Sequence, residues 1–171
     1  MNSYFIADYE RQTPNKFKFL PFLVRYFRNH ELRTLFWFRQ YQVSSPSKKK
    51  VFMLFLRYYR RKYGIELPYN DTSAGAGLRL IHPWCITVNA NAKLGENVTL
   101  YKGCTIGEIS GGAKKGVPTI GNNVTLYSNS TVCGNITVGD NSEIAAGAFV
   151  NFDVPPNSIV IGNPGIIHAK K

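Results

Sequence analysis

An aliphatic residue recurs every six positions from residue 88 onward. Val88, Leu94, Leu100 and Ile106 fall in phase, as do Ile120, Leu126, Val132, Val138, Ile144 and Val150. Four positions after each but Ile106 stands a small or aliphatic partner: Ala92, Val98, Cys104, Val124, Ser130, Ile136, Ser142, Ala148 and Val154. Between them lie turn formers, as in "LGEN", "IGNN" and "VGDN". Such a period is not that of an amphipathic helix. It predicts a parallel β-helix, with short strands, tight corners and one inward aliphatic per side stacked into a column. The interval from Ile106 to Ile120 is fourteen residues where two steps would take twelve. The stretch "GEISGGAKKGVP" (107–118) is therefore expected to leave the coil. Its glycines allow a ligand close to the backbone; the plainer reading is a surface loop.

The chain divides near residue 65. Residues 1–65 hold fourteen Lys/Arg against three Asp/Glu, whereas residues 66–171 hold seven of each sign. The net charge of +11 therefore belongs to the first third. "NKFKFLPFLVRYFRNHELRTLFWFRQYQ" reads as helical, "SSPSKKK" (44–50) as a basic turn, and "VFMLFLRYYRRKYG" (51–64) as a helix stopped by Gly64. This segment is expected to pack on neighbouring subunits or to rest on an anionic membrane. Nucleic acid is a poor fit, because no reading motif is present. "FLPFLV" is too short to span a bilayer. "MNSYFIADYERQTPNK" is polar and reads as no secretory signal. With Cys85, Cys104 and Cys133 odd in number and without CxxC, free thiols in a reducing, cytoplasmic compartment follow. Four of five sequons (Asn97, Asn123, Asn129 and Asn135, but not Asn70) fall where the repeat itself places Asn and Thr. The histidines, His30, His82 and His168, lack metal-ligand spacing, so no metal is expected.

The hexads, the loop, the ending "DVPPNSIVIGNPG" and "GLRLIHPWCITVN…GENVTLYKGCTIG" resemble the left-handed β-helix acyltransferases. More narrowly, they resemble the serine acetyltransferase group, which includes capsule and exopolysaccharide O-acetyltransferases. The likeness covers roughly residues 51–168 and is weaker before them. It implies a mainly β fold, a left-handed parallel β-helix (66–171) behind an N-terminal α-helical segment (1–65). It implies acetyl-CoA as donor and homotrimers, or a dimer of trimers, with active sites between coils. It makes His82 the catalytic base: an alcohol is a poor nucleophile, and an imidazole can take its proton as it attacks a thioester. From the residues alone His82 reads equally as a buried structural histidine. The resemblance also implies an acidic residue that orients the imidazole. Glu66 is preferred and Asp71 is its competitor. Acetyl-CoA is expected beside the loop, with Gly107, Gly111, Gly112, Lys114, Lys115 and Ser128 as contacts and Lys170 and Lys171 at the nucleotide end.

Departures from the group bear on the acceptor. Serine acetyltransferases carry an aspartate just before the catalytic histidine and an Arg-His pair late in the loop. Here these positions are Ile81, Gly116 and Val117. Losing groups that hold an amino acid's charges costs binding, which points to a sugar hydroxyl. The oxyanion donor stays unassigned. The expected function is thus acetyl transfer to a saccharide, a capsule or exopolysaccharide unit or precursor, at the inner membrane face. The alternatives are L-serine O-acetylation and a non-catalytic scaffold. A route through Cys85 is disfavoured, since residues 82 and 85 of one strand would face opposite ways.

Overall fold

The computed structural model describes residues 2–67 and 74–170. Four helices precede the strands: α1 (Ser3–Gln12), α2 (Phe19–Arg28), α3 (His30–Val43) and α4 (Pro46–Tyr63). The segment read as polar and non-secretory is thus α1, with the Asn2 side chain accepting from the Phe5 N–H at 2.7 Å. The basic run at 48–50 lies inside α4, not in a turn, because Pro46 at the first helical position starts the helix early. Gly64 ends α4 at φ 68°, as its sequence position predicted.

The strands form a three-sided left-handed coil. One face stacks β1 (Arg79–Ile81), β4 (Thr99–Tyr101), β7 (Thr125–Leu126), β10 (Glu143–Ile144) and β12 (Ser158–Ile161) in parallel, and β13 (Ile166–Ala169) folds back antiparallel on the last. The second face holds β2 (Thr87–Val88), β5 (Thr105–Gly107), β8 (Thr131–Cys133) and β11 (Phe149–Val150), and the third holds β3 (Lys93–Leu94), β6 (Thr119–Ile120) and β9 (Thr137–Val138). All ten in-phase aliphatics and all nine of their partners are buried. Buried Ser142 is satisfied by donating to the Pro155 carbonyl at 3.0 Å.

One turn of the coil is eighteen residues, pairing Thr119 with Thr137 and Thr125 with Glu143. Across the loop the pairing is twenty-six, as for Lys93 with Thr119. The excursion is therefore eight residues within a single step, not two residues within two steps. Steps inside the loop have no strand of their own to count.

The corners explain the recurrent asparagines. Asn97, Asn123, Asn141 and Asn157 take left-handed φ between 56° and 59°. Each of the first three donates its amide N–H to the next one's side-chain oxygen, at 3.1–3.2 Å, forming a ladder along one edge. Beside it Gly121 is obligatory, since a Cβ there would collide with Asp140 of the next coil.

The helical cap closes the first coil. Gln12 on α1 exchanges two bonds with the Leu80 backbone, donating to its carbonyl at 2.8 Å and accepting from its N–H at 3.1 Å. It thereby stands in for a missing neighbouring strand. Arg39, in the basic first third, is fully buried against Asp8, donating at 2.7 and 3.0 Å and also reaching the Ala74 and Gly75 carbonyls. Arg33 is half-buried and donates to the Tyr26 and Phe27 carbonyls at the end of α2.

Candidate active site

His82 falls in phase with the six-residue period, which would place it in the core. It is exposed, because two extra residues enter the first coil: Leu80 pairs with Leu100, twenty positions on, and Leu80 takes the buried place instead. The excess forms the turn "HPWC". His82 and Cys85 both adopt positive φ, 46° and 53°. Non-glycine residues held there cost about 1–3 kcal/mol each, so the surroundings must enforce the turn. They do so through backbone bonds. The Trp84 N–H donates to the His82 carbonyl at 2.8 Å, the Cys85 N–H to the Tyr63 carbonyl at 2.9 Å, and the Gly103 N–H to the Trp84 carbonyl at 2.8 Å.

Residues 82 and 85 therefore belong to a turn, and the expectation that they alternate across a strand does not hold. Cys85 is exposed. Cys104 is buried in the core, where desolvation pushes its thiol pKa up.

The turn rests on an aromatic stack that sequence reading missed. Trp84 meets the Tyr63 ring edge-on at 5.0 Å, and Tyr63 stacks on His30 at 4.4 Å. Helix α3 and the end of α4 thus support the loop that displays His82. The signal was a lone Trp beside His82, without periodicity to place it.

Glu66 sits where the chain enters the second face, bridging to Thr87. Its carboxylate is paired with Arg60 at 2.7 Å. Among the described residues no hydrogen bond joins it to His82, whose imidazole is left to solvent. The last turn of α4 brings a guanidinium within reach, and a charge-assisted bond holds the carboxylate there. Asp71 lies outside the described residues. Glu66 does line a cleft of about 320 Å³ together with Thr87, Asn89, Gly107 and Glu108. The structure thus brings Glu66 and Gly107 together and keeps His82 off that cleft's lining.

The loop is a small hairpin. Ile109 and Gly116 exchange backbone bonds of 3.0 and 2.9 Å, and the Asn135 N–H straps the Lys114 carbonyl at 2.9 Å. At the tip, a Cβ on Gly111 or Gly112 would meet nothing within 4 Å. Their backbone is open to a ligand. Lys115 is exposed and Lys114 half-buried. Ser128 is half-buried at the corner between β7 and β8. Lys170 is engaged, with its ammonium on Glu143 at 2.5 Å, so its expected place at a nucleotide competes with an ion pair. Lys171 lies outside the described residues.

Coil, extruded hairpin and exposed histidine define a class before any particular relative: a left-handed β-helix of hexapeptide type. The family model "Bacterial transferase hexapeptide (six repeats)" matches residues 118–151. More particularly, the chain is similar to serine acetyltransferases. It is 36% identical to that of Staphylococcus xylosus over 104 residues, 61% of this chain and 48% of the relative. It is 34% identical to that of Helicobacter pylori over 100 residues, 58% of each. Among solved structures it resembles the Neisseria gonorrhoeae serine acetyltransferase in complex with serine, with a TM-score of 0.72 and 28% identity over 97% of this chain and 66% of that one. The chain spans about half the length of the curated relatives it matches.

Proposed function

We propose that the protein is an acetyl-CoA-dependent O-acetyltransferase with His82 as general base. The observation that carries this reading is the strained, exposed His82 turn on a hexapeptide coil similar to serine acetyltransferases. The imidazole takes the proton of an acceptor hydroxyl as that oxygen attacks the thioester carbonyl. The tetrahedral adduct then collapses, the carbon–sulfur bond breaks, and the imidazolium returns its proton to the leaving thiolate. Gly111 and Gly112 offer open backbone and Lys114 and Lys115 positive charge for the donor's phosphates. A homotrimer would set a neighbouring coil against the exposed His82 and complete the site.

The relatives favour L-serine as acceptor, ahead of the saccharide that the sequence departures suggested. A saccharide remains the second reading because of Gly116. A Cβ there would lie 2.9 Å from Asn135 Cβ, so this backbone has no room for the arginine that serine acetyltransferases place at that position. Release of CoA from acetyl-CoA, measured with L-serine and with a panel of sugars, separates the readings. Turnover with serine alone supports the first and turnover with sugars alone the second. No release with any acceptor, and no acetyl-CoA binding, leaves a scaffold.

A further inference from the structure

Helix α2 has an apolar inner face, but its outer face is apolar as well. Phe22 is buried, while Phe19, Leu20, Leu23, Val24 and Phe27 are exposed, with Leu20 at 72% and Phe27 at 70%. At 100° per residue these five positions span an arc of about 140°, a full amphipathic stripe pointing away from the core. An exposed apolar stripe of this width calls for a covering.

The stripe does not end with α2. Phe27 touches Tyr26 at 5.4 Å between ring centroids. Tyr26 in turn lines a groove of about 440 Å³ with Leu54, Phe55 and Tyr58 of α4. Val51, Leu54, Phe55 and Tyr58 are all exposed and recur at helical spacing. The two helices thus present one continuous apolar surface.

Its border is basic and contains no acid. Lys18 and Arg28 stand exposed at either end of α2, and Lys50, Arg57 and Arg61 run along one side of the α4 row. Neither helix contains Asp or Glu. A second copy meeting this surface through the same patch would set like charges together. An anionic bilayer offers both halves of the complement, acyl chains for the stripe and headgroups for its rim. The helix would lie in the plane of the membrane: no helix among the described residues is long and apolar enough to cross one.

We infer that the α2–α4 face docks the protein on an anionic membrane surface. The test is co-sedimentation of the full chain with vesicles of phosphatidylcholine alone or containing about one-third phosphatidylglycerol. Two variants accompany it, Leu20→Ser/Phe27→Ser and Lys18→Glu/Arg28→Glu. All four positions are exposed, and unchanged circular dichroism and melting verify the fold. The wild type partitions onto anionic vesicles and not neutral ones, and loses binding between about 0.1 and 1 M salt. Each variant lowers the partition coefficient by roughly tenfold or more. Absence of binding, equal binding to neutral vesicles, or undiminished binding by the folded variants overturns the inference. So does concentration-dependent self-association that the same substitutions abolish, since that assigns the face to a second copy.

Discussion

Arg39 and Asp8, thirty-one residues apart, meet through two hydrogen bonds in a place neither shares with solvent. Burial pushes the Asp8 carboxyl pKa up, while Arg39 and the Leu78 N–H, at 2.8 Å, draw it back down. The pair joins α1, α3 and the first coil. Asp8→Asn leaves the guanidinium buried without its counter-charge, and unfolding by urea should show a loss of about 3–5 kcal/mol. A loss below about 1 kcal/mol would mean that water reaches the seam.

Substitution of His82 tests the base. His82→Ala should lower turnover by roughly 10²–10⁴-fold with the fold intact. Near-normal turnover would remove His82 from the chemistry. Glu66 is paired with Arg60 and not with His82, so Glu66→Gln should lower turnover far less than His82→Ala, and a loss of similar size would restore Glu66 as the orienting group. If Asp71→Asn is the damaging change instead, Glu66 serves only to hold Arg60.

The loop lysines should act on donor binding alone. Lys114→Glu/Lys115→Glu should raise KM for acetyl-CoA by roughly tenfold and spare kcat. An unchanged KM would mark both as ordinary solvated charges.

His30 should make stability pH-dependent. Burial pushes its pKa below the usual value of 6.5, helped by Arg33 and Lys62 and opposed by Glu31. Its Nε2 is buried without a partner among the described residues. On acidification the unfolded chain takes up a proton near pH 6.5 before the native state does. This contribution to stability is therefore complete above that pH and is lost as pH falls through the lower native value. Melting followed from about pH 8 to pH 5 should show the decline, and His30→Gln should flatten it. A slope identical in both proteins would place the acid sensitivity elsewhere.

The asparagine ladder can be dissected at Asn123. Asn123→Ala breaks two ladder bonds and forces alanine to φ 56°, for a loss of about 1–2 kcal/mol by thermal denaturation. Asn123→Gly keeps the backbone comfortable and should lose less. Equal losses would assign the whole effect to the side-chain bonds.

What the sequence revealed depended on how each residue makes its contacts. The core was legible because every side of the coil buries one aliphatic at a fixed interval, from Val88 to Val150. The length of the excursion after Ile106 was not, since a missing strand leaves no phase to count. Helix α1 was legible only as part of the helical segment 1–65, and its anchoring role was not, because the groups that carry it, Asp8 and Gln12, are polar and follow no apolar period. Nothing in the sequence marks Arg39 as buried, for a buried ion pair and a solvated rim have the same letters. At the site, the period by itself would have sent His82 inward. Only the two additional residues of its turn, whose closing contacts come from Tyr63 and Trp84, bring it out. The Arg60–Glu66 pair is local, but it closes across Gly64, where the helical period of α4 ends and gives no spacing to read.

A solenoid is open at both ends, and each last coil is a template on which another chain could stack. Here Gln12 occupies the Leu80 backbone at one end, and β13 turns back antiparallel over β12 at the other. A parallel coil cannot add to a strand whose bonding groups are already taken or whose outer neighbour runs the wrong way. The hexads set the number of coils, and these two stoppers cover the ends of the sheet that runs from β1 to β12. Removing α1 should therefore bare one end only, and with β13 still closing the other, association would stop at a pair of coils and not run on as a fibre.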